Sequence, residues 1–143
     1  MRIKFVFYFF ITILFFGANS VSANSFQIVV NSENPIQSIE RKHLASIFLK
    51  KTSRWSDDLV IQPVDLDPES QVREVFSDRV LKKSVTGVRS YWQRLLFSGR
   101  NVPPPELKSN EEVLQYVSEN KGAIGYLGSS TNISSGVKVI ILR

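Results

Sequence analysis

The residues best suited to chemistry in this chain lie between Asp65 and Phe76, where Ser70, Gln71 and Arg73 open a helical stretch. A helix N-terminus presents free N–H groups and a partial positive charge, a combination that suits an anion. Ser70 adds a hydroxyl that can donate, and Gln71 supplies the next backbone N–H. Arg73, one turn on, brings a forked and permanently charged guanidinium. Asp65, Asp67 and Glu69 crowd the same place with negative charge. At roughly 4 Å and an effective dielectric near 20, each close carboxylate costs an anion several kcal/mol. Two readings therefore stand side by side. One is an anion site at Ser70, Gln71 and Arg73. The other is a structural helix capped by Asp67, with Pro68 at its first position and Glu69 complementing its dipole.

Other chemistries find less support. Asp65, Asp67 and Glu69 alternate like the start of a calcium loop, but Ser70 stands where the sharp-turn Gly belongs and Phe76 where the bidentate Glu belongs. His43 is the only histidine and there is no cysteine, so neither a His/Cys metal set nor a thiolate nucleophile can form. No Gly-x-Ser-x-Gly elbow or Gly-rich phosphate loop occurs, and the chain reads as a non-enzyme without a cofactor. Lys50, Lys51, Arg54 and Trp55 mix bases with an aromatic, as do Arg89, Tyr91, Trp92 and Arg94. Single-stranded nucleic-acid grooves share that mixture. Trp92 falls on an apolar helical stripe, however, so both clusters read as core plus solvated face, with no nucleic-acid partner.

The elements that must position these residues follow from periodicity. Strands are predicted at Phe26 to Asn31, Leu59 to Asp65 (with Pro63 favouring an edge), Ala123 to Leu127 and Val137 to Leu142. Helices are predicted over Glu40 to Leu49, after Asp67, from about Ser84 to Phe97, and after the capping box Ser109-Asn110-Glu111-Glu112. The last of these should stop at Gly122 in the left-handed conformation. Val72, Val75, Phe76 and Val80 form one expected buried stripe; Val85, Val88, Trp92, Leu95 and Leu96 form another. Pro103-Pro104-Pro105 makes a stiff loop between them and the capping box. The resulting order suits a single α/β layered domain.

The first residues read as an export signal. Arg2 and Lys4 precede an apolar run of 12 residues from Phe5 to Phe16, and Val21-Ser22-Ala23 offers a cleavage site. Bilayer crossing takes roughly 20 residues, so no stable membrane span is expected after cleavage. Residues 1–23 are thus assigned to a signal peptide and 24–143 to one domain. The formal charge of +5 becomes +3 without Arg2 and Lys4, with 16 basic residues against 13 acidic. That dispersed surplus permits attraction of anions without marking a nucleic-acid surface.

Ile47-Phe48-Leu49-Lys50 with Trp55-Ser56-Asp57, Pro63-Val64 before Ser70 to Phe76, and Gly122 to Leu127 together resemble phosphate-type periplasmic substrate-binding proteins. The resemblance runs from about Phe26 to Leu142. It implies one lobe of a type 2 periplasmic-binding-protein fold, a mixed sheet flanked by helices. In that family the anion loop reads Arg, three residues, then Ser-Gly-Thr. Ser70 stands at the Ser, while Leu66, Gln71 and Val72 stand at the Arg, Gly and Thr. Ser70-x-x-Arg73-x-x-Phe76, Tyr91-Trp92 and Pro103-Pro104 are similar to short, single-lobe exported relatives. The function implied is periplasmic oxyanion binding of the ABC-transport type. The small oxyanion is the expected ligand, and an ABC permease, another periplasmic protein or a homodimer the expected partner. The alternative is a periplasmic interaction or sensor module that kept the fold and lost the ligand.

Overall fold

The computed structural model describes residues 25–143, and the predicted signal segment lies outside the described residues. β1 (Phe26–Asn31) occupies the centre of a five-stranded mixed sheet. Its neighbours are β6 (Ala123–Gly128) and β7 (Val137–Leu142), both antiparallel to it. The short strands β2 (Ser38–Ile39) and β3 (Gln62–Pro63) close the two edges, each parallel to its neighbour, giving the order β2-β7-β1-β6-β3. Pro63 thus sits on an edge strand, where its missing N–H leaves no ladder bond unmade.

The described residues include four α-helices: α1 (Arg41–Phe48), α2 (Gln71–Phe76), α3 (Val85–Phe97) and α4 (Asn110–Glu119). α2 continues as a π-helical turn over Ser77–Leu81. Adjacent residues of β6 show how the faces divide. A Cβ on Gly125 would lie 2.8 Å from Val113 and 3.6 Å from Val117, so only glycine lets α4 approach so closely. Tyr126, pointing the opposite way, meets Phe48 of α1 and Phe76 of α2. Val29, Val30, Ile124 and Leu127 are buried between the two layers of helices. A central strand covered on both faces explains the almost continuous apolar reading of β1.

Several local expectations need correction. The predicted strand from Leu59 to Asp65 is split: Val60 bridges to Arg54, β3 covers Gln62–Pro63, and β4 (Asp65–Leu66) leaves the main sheet. β4 pairs in parallel with β5 (Glu106–Leu107), which follows directly on the three prolines. The helix after Asp67 starts later than predicted. Ser70 is its N-cap, and Asp67 instead closes a turn by accepting from Glu69 N at 2.9 Å. Gly122 does not adopt a positive φ. It is required because a Cβ there would stand 2.0 Å from Val60 O. In the capping box Ser109 accepts from Glu112 N as expected, but the Glu112 carboxylate reaches Lys108 N at 2.8 Å rather than the cap residue's own N–H. Leu96 is exposed, not buried; its helix turns only Val88 and Trp92 fully inward.

Candidate functional site

α2 is a short helix whose two sides have different tasks. Ser70 caps it, its hydroxyl accepting from Arg73 N at 3.4 Å. Gln71 is exposed at the first helical position and Val72 is half-buried. Beside this N-terminus lies an open depression of about 480 Å³, lined by Pro68, Glu69, Ser70, Glu74, Asp78 and Ser84 among others. Hydroxyls and carboxylates therefore surround the ligand position that the sequence suggests. Among the described residues, no group of three or more His, Asp or Glu side chains converges to hold a metal.

Arg73 is not on that side. Its guanidinium turns inward and is buried, with Nη2 at 3.3 Å from Asp65 Oδ2 and Nη1 at 2.9 Å from Glu106 Oε2. Nη1 also donates to Leu66 O at 2.5 Å. The cation expected to meet an anion thus fastens α2 to both β4 and β5. The Tyr126 hydroxyl donates to Asp65 Oδ1, which also accepts from Leu66 N at 3.0 Å. Burial pushes the Asp65 carboxyl above its ordinary value, and Arg73, Tyr126 and Leu66 N pull it partly back. Burial, reinforced by the Asp65 carboxylate, pushes the Tyr126 phenol well above its ordinary value.

The Tyr126 ring stacks on Phe76 with centroids 3.7 Å apart and planes 3° from parallel, and Phe26 and Phe48 meet Phe76 edge-on. The spacing Ser70-x-x-Arg73-x-x-Phe76 thereby acquires a structural meaning: cap, buried ion pair and aromatic anchor, on successive turns. Leu66, at the position where the resemblance puts an arginine, is also buried. Sequence reasoning missed Glu106 and Tyr126 as partners of Arg73 and Asp65. Asp65 and Arg73, eight residues apart, were the only signal of a buried pair, and either could equally have faced solvent.

The domain family described as the PBP superfamily domain matches residues 16–139. No curated protein matches the chain. Among solved structures, the chain is similar to an ABC-type phosphate transport receptor from Vibrio cholerae, at 21% identity and a TM-score of 0.64, over 82% of this chain and 45% of that one. It is similar also to PstS from Borrelia burgdorferi, at 19% identity and a TM-score of 0.63, over 82% and 47%. The chain thus spans less than half the length of these relatives, and the likeness is one of fold. A single α/β lobe, matched along most of its sequence, belongs to the PBP superfamily of solute-binding domains.

Proposed function

We propose that this chain is an exported, single-lobe solute-binding protein of the phosphate ABC-transport type, taking a small oxyanion at the N-terminus of α2. The observation that carries the reading is the opening of that N-terminus onto a surface depression, with the N-cap Ser70 in its lining. The fold relatives named for phosphate transport support the choice of ligand class, and the signal-like first residues support the periplasm. Binding sites usually bury 70–90% of a ligand, so one lobe alone holds its anion weakly and gains from a second wall. A permease, another periplasmic protein or a second copy can supply it. Calorimetric titration with phosphate, sulfate and chloride tests the reading: saturable heat with phosphate or sulfate is expected, and a folded chain that gives none refutes it.

The withdrawal of Arg73 into the interior favours a second reading, a periplasmic interaction or sensor module without a ligand. Glu69, Glu74 and Asp78 then make the depression a negative patch for a protein partner. This reading predicts oxyanion-independent association, visible in light scattering or in a pull-down from periplasmic extract.

A further inference from the structure

The C-terminal end of α3 and the loop after it form an apolar tip that none of the described residues covers. Phe97 is 93% exposed, Val102 56% and Leu96 49%. Gly99, with φ of +66°, turns the chain back in open space, and a Cβ there would meet nothing within 4 Å. Phe97 projects from the tip, while Leu96 behind it lines a shallow depression on one flank.

Its surroundings are cationic. From the start of α3 to the residue before Glu106 the sequence holds Arg89, Arg94 and Arg100 and no carboxylate. Arg94 and Arg100 share a depression of about 280 Å³ with Tyr91, Leu95 and Ser98 on one flank. Arg89 shares a smaller one with Leu96 and Pro103 on the other. Glu106 also lines that second flank, but its carboxylate is held by Arg73 at 2.9 Å. Tyr91 Oη donates to Leu49 O at 2.9 Å and Asn101 Nδ2 to Lys50 O at 3.4 Å, so the basic turn after α1 is fastened to the same end.

We propose that this tip is a peripheral docking site for an anionic lipid surface, with Phe97, Leu96 and Val102 set into the interfacial layer and Arg94 and Arg100 on lipid phosphates. Surface-bound proteins pair an apolar wedge with basic flanks in this way. A soluble protein partner would have to present a shaped concave pocket to desolvate a projecting Phe. A bilayer interface offers that environment at every point. Free phosphate would satisfy the arginines and leave Phe97 in water, so the lipid, not the ion, fits the whole feature. This inference is independent of any ligand at α2.

Trp55 and Trp92 are only 8% and 6% exposed, so an indole introduced by F97W reports on the tip. Full-length F97W is mixed with phosphatidylcholine vesicles containing about 30 mol % phosphatidylglycerol, with and without brominated chains. Expected are a blue-shifted emission and quenching by the brominated lipid, both lost in neutral phosphatidylcholine vesicles. R94Q/R100Q in the same background should weaken vesicle binding about thirtyfold. R94Q/R100Q leaves the first residues intact, so attachment through them would survive the substitution and docking at the tip would not. Emission unchanged by the anionic vesicles overturns the proposal, as does an equal response to neutral ones or to inorganic phosphate alone. A photo-crosslinking residue at position 97 that captures a discrete protein in intact cells, with no vesicle response, would reassign the tip to a protein partner.

Discussion

Arg73, expected at an anion, is engaged by the protein's own carboxylates. A guanidinium near a helix N-terminus suggests an anion, yet its neighbours are two carboxylates of the protein itself. Removing one partner of a buried ion pair strands the other, at a cost of about 3–5 kcal/mol. Arg73→Ala should therefore lower unfolding free energy by about that much in urea, because Asp65 is buried with it. A loss below about 1 kcal/mol, as exposed pairs give, would remove the assignment. Asp65 also sets a pH dependence. Its carboxyl is raised in the folded state, so its contribution is fully present below the ordinary aspartate value and is lost as pH rises through the folded value. Relative to Asp65→Asn, the unsubstituted chain should lose stability from about pH 4 upward and then level off. Parallel pH profiles for the two proteins would show that Asp65 does not titrate in this way.

Among the elements, the amphipathic helices and long strands were legible because burial repeats at their own periods. α1, α3, α4, β1, β6 and β7 lie within a residue or two of the positions the pattern assigns. The strands of two residues were not legible, since β4 and β5 are defined by each other across forty residues of chain, and no local pattern records that pairing. Asp67 and Ser70 are both good caps on sequence alone; the turn closed by Asp67 decides between them. Gly122 was recognised as obligatory for the wrong reason. The constraint comes from Val60 O, 2.0 Å from a would-be Cβ, and from Trp55 Nε1 and Gln62 N, both of which donate to Gly122 O. Gly122→Ala must push β3 away from β6, at about 3 kcal/mol or more, the upper end of overpacking costs. Its near-ultraviolet signal from Trp55 should change as well. A C-terminal stop in the left-handed conformation would leave Trp55 undisturbed, so the two accounts part on that signal. Ser109→Ala should cost about 1 kcal/mol as a lost N-cap, without any change at Trp55.

At the scale of the whole molecule, the question is whether the field around α2 admits an anion at all. The helix N-terminus and the Ser70 hydroxyl attract it, while Glu69, Glu74 and Asp78 line the same depression and repel it. With Arg73 committed to the interior, the balance is set by these exposed charges, and it is therefore open to change without damage to the core. If phosphate binds with a dissociation constant on the order of 1 mM, about 10 mM phosphate adds roughly 1.4 kcal/mol to unfolding free energy. Neutralising two carboxylates by E74Q/D78N should tighten binding about tenfold, raising that increment to roughly 2.7 kcal/mol at the same phosphate. Both side chains are exposed, so the substitution leaves the buried network alone and the comparison reports on the field. Unfolding is measured in phosphate against chloride of equal ionic strength, which subtracts screening. An increment in both proteins, larger in the double variant, supports the oxyanion site. If E74Q/D78N gains nothing from phosphate, the N-terminus of α2 is a capped structural helix, and the negative depression beside it is left to a protein partner.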